Sequence, residues 1–191
     1  MVKDLRQGTG AGFLECKKML VETDGDMERA AEMLYERGMA KAAKKVGRDA
    51  NDGLVGYYIH PGSRVAGLVE VNCETDFVAR TPQFQEFVHD MAMHVVAAKP
   101  RFLSIEDIPG DVLEREKAEY RKEAVDSGKP ERILDRIVEG KLLKFYETTC
   151  LLEQPFIKDD DKTVAALLSE MIAALGENIV LRRFVRFEVG E

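Results

Sequence analysis

The sequence predicts an α+β protein: an N-terminal three-helix module, then a core in which helices cover a small antiparallel β-sheet. Three observations carry that expectation. Apolar residues before Gly38 recur at helical spacing between glycine-rich breaks, two β-branched stretches flank a His60-Pro61-Gly62-Ser63 turn, and a further strand pattern closes the chain at 179–189. With 191 residues, 45% of them hydrophobic, the chain is long enough to bury a core without metal or disulfide staples.

The first helix is expected over residues 2–9, and the Gly8-Thr9-Gly10-Ala11-Gly12 stretch breaks it, because closely spaced glycines favour a turn. A second helix follows over 13–21. Thr23-Asp24-Gly25 makes the next turn, and Asp26 is placed to accept the free amides of a third helix. Met27, Ala30, Ala31, Leu34 and Tyr35 share one face of that helix, and Gly38 sits where a left-handed C-cap residue is expected. Residues 1–38 thus read as a helical module. Lys41, Lys44, Lys45 and Arg48 then crowd an Ala-rich stretch that ends in turn-prone Asp49-Ala50-Asn51-Asp52-Gly53, so 39–53 read as a basic helical linker and 54–191 as the core.

In the core, residues 54–59 and the valine-rich 65–72 form a β-hairpin. Thr81-Pro82 pairs a capping hydroxyl with proline at the first helical position, and Phe84, Phe87, Val88, Met91, Val95 and Ala98 line one face of the helix that follows, until Lys99-Pro100 stops it. The charged stretch 111–127 reads as an exposed helix. Amphipathic helices are expected over about 131–146 and from Thr163, the latter with Val164, Leu167, Leu168, Met171, Ile172 and Leu175 on one stripe. A lone hairpin is marginal, so the strand at 179–189 is expected to join it as a third.

Charge and motifs exclude several function classes. A net charge of −7 argues against a dedicated nucleic-acid binder, which would carry a basic surface to replace phosphate counterions. Cys16, Cys73 and Cys150 are odd in number and lack C-x-x-C spacing, so neither a disulfide framework nor a zinc knuckle is indicated, and a cytoplasmic protein is expected. No signal peptide or membrane span is read, and no phosphate-binding loop, so direct nucleotide binding is not expected. His89 and His94 are five apart on one helix and cannot share a metal; no metal or cofactor is expected. Cys73 has Glu74 beside it, a negative neighbour that raises a thiol pKa and works against a nucleophile. Two rival classes remain readable: a nucleic-acid adaptor using the 41–48 cluster, and a thiol enzyme around Cys73.

The segment Glu74-Thr75-Asp76-Phe77-Val78-Ala79-Arg80 follows a strand directly and places charges on both sides of an aromatic. On pattern alone it has two readings. In one, Thr75 caps a short helix, Asp76 favours its positive end and Phe77 enters this protein's own core. In the other, Phe77 is an exposed wedge for a partner's pocket.

Four stretches resemble the signatures of the elongation factor Ts family: Val2-Lys3-Asp4-Leu5-Arg6 with Thr9-Gly10-Ala11-Gly12 and Cys16-Lys17-Lys18; residues 70–80; Leu151-Leu152-Glu153-Gln154-Pro155-Phe156-Ile157-Lys158; and Gly176-Glu177-Asn178-Ile179. The resemblance spans nearly the whole chain in the family's order. It implies a non-enzymatic guanine nucleotide exchange factor for elongation factor Tu in translation elongation. The first three helices would be a ubiquitin-associated-like module that docks through Val2, Lys3, Leu5, Arg6 and Thr9. The core would press Thr75, Asp76, Phe77 and Val78 against the partner's magnesium site. With one hairpin-type core, the chain resembles the family's short form, which implies a homodimer and a two-plus-two complex.

Overall fold

The computed structural model describes residues 1–9 and 11–191; Gly10, part of the predicted glycine-rich turn, lies outside the described residues. The fold is α+β. Three helices open it: α1 (Val2–Thr9), α2 (Phe13–Glu22) and α3 (Met27–Ala43). The hairpin strands β1 (Asp52–Ile59) and β2 (Val65–Cys73) follow, then the single turn α4 (Asp76–Ala79) and the long α5 (Pro82–Ala98). Next come α6 (Gly110–Asp126), α7 (Leu134–Thr149), a short ribbon of β3 (Pro155–Phe156) and β4 (Asp159–Thr163), α8 (Val164–Leu175) and β5 (Ile179–Glu188). β5 lies beside β2 in a three-stranded antiparallel sheet of order β1-β2-β5, so the C-terminal strand does complete the hairpin.

The chain divides into two compact units. The first comprises Met1–Leu54, Val71–Glu86 and Ala166–Val180; the second comprises Val55–Glu70, Phe87–Ala165 and Leu181–Glu191.

In the first unit, Leu5, Cys16, Met19, Leu20, Ala30 and Leu34 form the small core of the helical module. Asp26 caps α3, its carboxylate accepting the Arg29 amide at 3.0 Å. The helix does not end at Gly38, however, and residues 39–43 of the expected linker continue it. Gly38 lies outside the left-handed region, and a Cβ there would make only ordinary contact with the Ala173 Cβ at 3.4 Å, so it is an interior helical glycine rather than a left-handed cap. Alanine and lysine beyond it have high helix propensity and carry the helix on.

In the second unit, α5 lies directly against the hairpin. A Cβ at Gly56 would fall 2.9 Å from the Val88 carbonyl oxygen, and one at Gly67 would fall 3.1 Å from that of Ala92. The greasy face expected of α5 is present, with Phe87, Val88, Met91 and Val95 all buried. The 151–158 stretch forms a polar knot at its far end. Buried Gln154 accepts from the His94 Nε2 through its side-chain oxygen at 3.0 Å and donates through its side-chain nitrogen to the carbonyls of Ala98 and Thr148, while the Ile157 amide donates to His94 Nδ1 at 3.3 Å. The backbone donor to Nδ1 sets the tautomer, with Nε2–H donating to Gln154. Burial holds the His94 pKa below the ordinary histidine value, so the ring is a neutral core group. His89 is exposed, edge-on to Tyr58. Neither β3 nor β4 was legible in the sequence: a two-residue strand and an acidic Asp159-Asp160-Asp161 partner carry no strand signal.

Candidate functional site

The 74–80 segment forms a bracket around an exposed ring. Phe77 is 78% exposed, whereas Ala79, two residues on and on the opposite side of the turn, is buried. The core reading of Phe77 therefore fails for the free chain. Val78 and Asp76 are half-buried, and Asp76 pairs with Arg80 at 2.7 Å, one helical turn on.

Both ends of α4 are tied down. Thr75 sits at the N-cap position with extended backbone, yet its side chain makes no capping bond. Its hydroxyl instead donates to Glu177 Oε1 at 2.6 Å and its amide donates to Glu177 Oε2 at 3.0 Å. The Cys73 thiol donates to the Thr75 carbonyl at 3.2 Å. At the other end, the Thr81 hydroxyl donates to the Val78 carbonyl at 2.8 Å and accepts the Phe84 amide at 3.3 Å, so one residue closes α4 and caps α5. The expected Thr81-Pro82 helix start is present, while the capping bond that one of the two readings gave Thr75 is not made, its hydroxyl donating to Glu177 instead.

A second carboxylate answers the first. The Asn178 amide donates to Glu74 Oε1 at 2.7 Å, and the buried Asn178 side chain donates to the Arg48 carbonyl at 2.7 Å. The Gly176-Glu177-Asn178-Ile179 stretch is thus the frame of the bracket. Its role was missed because Glu177 is 102 residues from Thr75, and only the motif itself was available as a signal.

Cys73 offers no nucleophile. It is fully buried, and its pKa is pushed up to about 11, chiefly by burial, then by the negative charges of Glu177 and Asp52 rather than by adjacent Glu74. The basic run is also engaged within the chain: Lys41 with Glu15, Lys45 with the Gly176 carbonyl, and Arg48 with Glu74 at 3.6 Å. Among the described residues, no three His, Cys, Asp or Glu side chains converge to hold a metal ion, and no helix is long and apolar enough to cross a membrane.

In the helical module, the five residues expected at a docking surface separate. Leu5 is 2% exposed and belongs to the core, and half-buried Val2 packs on it. Thr9 closes α1, its hydroxyl donating to the Leu5 carbonyl at 2.7 Å. Lys3 and Arg6, three apart on one face, are exposed. Phe13 and Leu14, not singled out in the sequence, are also exposed, Leu14 at 79%.

A rigidly presented aromatic and a helical module with exposed cationic and apolar side chains form an arrangement suited to docking onto another macromolecule. Comparison with known proteins makes this specific. The profile of the family described as Elongation factor TS matches residues 25–191. Over 190 residues the chain is 58% identical to the elongation factor Ts of Caldanaerobacter subterraneus subsp. tengcongensis, covering 100% of this chain and 95% of that protein. It is 57% identical over 191 residues to that of Acetivibrio thermocellus, covering 100% and 89%, and 55% identical over 191 residues to that of Coprothermobacter proteolyticus, covering 100% and 97%. The chain belongs to the elongation factor Ts family, the translation elongation factors of that name.

Proposed function

We infer that this chain is a guanine nucleotide exchange factor for elongation factor Tu, and that it works by lodging Phe77 in the GTPase beside its magnesium ion. The observation that carries the reading is a phenylalanine 78% exposed on a four-residue helix tied at both ends. A rigid aromatic held in water gains by entering a partner's pocket, and prior ordering lowers the entropic cost of doing so. Magnesium demands near-ideal octahedral geometry while it bridges phosphate oxygens to protein, so a small displacement of its surroundings weakens nucleotide binding sharply. Asp76, released from Arg80, would compete for the same polar network. Lys3 and Arg6 with Phe13 and Leu14 supply the docking surface of the helical module, which Val2 and Leu5 support from the core and Thr9 through its bond to the Leu5 carbonyl.

Exchange follows from linkage. A factor that prefers the empty GTPase must be bound more weakly, by the same ratio, when GDP is present. No bond is made or broken by this chain, and nucleotide concentrations decide that GTP loads.

The same reading includes a cytoplasmic homodimer in a two-plus-two complex. Val55, Tyr57 and Ile59 are exposed at alternate positions on β1, with Leu68 on β2 and Val185 and Phe187 on β5. Alternation places the three β1 side chains on one face while Gly56 meets α5 on the other. An exposed apolar sheet face of this kind suits an isologous pairing with a second copy. The direct test mixes the chain with elongation factor Tu loaded with fluorescent GDP. Accelerated release is expected; an unchanged rate contradicts the reading.

A further inference from the structure

We propose that Glu177 is a positioning residue for exchange: by gripping Thr75 at both its amide and its hydroxyl, it fixes the direction in which Phe77 leaves the surface. The proposal rests on the reading of Phe77 as the wedge.

Helix α4 cannot hold itself. Nucleating a turn fixes several dihedrals for one hydrogen bond, and isolated helices shorter than about 12 residues are marginal in water. The four residues Asp76–Ala79 must therefore be ordered from outside. At the N-terminal end that order comes from the Glu177 carboxylate, which accepts two hydrogen bonds from one residue, at 2.6 Å from the hydroxyl and 3.0 Å from the amide. Bonds to an ionised acceptor are roughly twice as strong as neutral ones, and a two-point grip sets orientation as well as distance. Phe77 lies two residues downstream.

Glu177 is itself aimed by its neighbours. Gly176, with φ +77°, ends α8 in the left-handed region, and its carbonyl accepts from Lys45. Asn178 on the other side is 3% exposed and bonded through its amide to Glu74 and through its side chain to the Arg48 carbonyl. The two carboxylates thus cross between the loop after β2 and the loop before β5, Glu177 reaching Thr75 and Glu74 reaching Asn178. With the Cys73 thiol on the Thr75 carbonyl, the residue that begins α4 is held by its amide, hydroxyl and carbonyl together. Such a grip contributes to exchange because a ring misplaced by about 1 Å can lose a large part of a rate effect.

The experiment is a double-mutant cycle on GDP release from elongation factor Tu, using the full chain as parent, Glu177→Ala, Phe77→Ala and the pair. Glu177→Ala is expected to slow exchange about 10-fold in the parent and to have little further effect once Phe77 is gone. Glu177→Gln, which keeps one carbonyl acceptor, is expected to lose about 3-fold. In parallel, 4-fluorophenylalanine at position 77 gives a 19F resonance that shifts or broadens in Glu177→Ala while the thermal midpoint shows the chain still folded. If Glu177→Ala does not fold, Glu177→Gln carries the cycle. A loss of equal size with and without Phe77 would make Glu177 a general structural residue and overturn the proposal. Parent-rate exchange by both Glu177 variants, with Phe77→Ala slow, would overturn it while leaving the wedge intact. Parent-rate exchange by Phe77→Ala would remove the wedge, and the proposal with it.

Discussion

Replacing Phe77 by alanine should separate exchange from stability. An aromatic side chain offers on the order of 200 Å² for burial, and with 78% of Phe77 exposed in the free chain about 150 Å² of it remains available to a partner. At about 25 cal/mol per Å² the ceiling on the binding free energy so gained is about 4 kcal/mol. Only the part realised at the transition state for GDP release appears in the rate, and at least 10-fold, or about 1.4 kcal/mol, is expected. Stability should move by no more than about 0.5 kcal/mol, because the ring makes little contact with its own chain. Phe84, fully buried seven residues later, is the internal control: its alanine variant should lose about 3–5 kcal/mol of stability. The assay is stopped-flow release of fluorescent GDP from elongation factor Tu, with urea denaturation of each variant alongside. Parent-rate exchange by Phe77→Ala, or a stability loss near that of Phe84→Ala, would refute the reasoning.

Gly56→Ala should lower the urea midpoint by the equivalent of about 1–3 kcal/mol, because the new methyl meets the Val88 side chain and backbone and α5 must lift from the hairpin. Stability should fall on acidification through His94: its folded pKa is depressed by burial, so the unfolded chain takes up the proton first, and the stabilisation present above the ordinary histidine value near 6.5 is lost as pH drops below it. The slope from this one group reaches at most about 1.4 kcal/mol per pH unit, and denaturation at pH 7 and pH 5 of parent and His94→Gln checks it, the variant showing the flatter profile. Tyr57→Glu, which places a charge on the exposed sheet face, should convert a sedimenting dimer to monomer with the helical content unchanged; a dimer that persists would point to another surface.

Much of this chain was legible because its signals are local. Asp26 and Thr81 cap where a short polar side chain ahead of an apolar run should cap, and the face of α5 follows from its spacing alone. Gly38 misled for the converse reason: glycine marks a helix end or an interior helical position equally well in sequence, and here its backbone stays outside the left-handed region while the helix runs on to Ala43. Phe77 was similarly undecided by pattern, since a single aromatic beside a strand suits a core as well as a surface. Which way it points depends on Ala79 being the residue turned inward, on the thiol of Cys73, and on a carboxylate 102 residues away. Periodicity and capping act over a few residues and can be read from the chain; the direction of one ring is set by groups that only tertiary folding brings within hydrogen-bond reach.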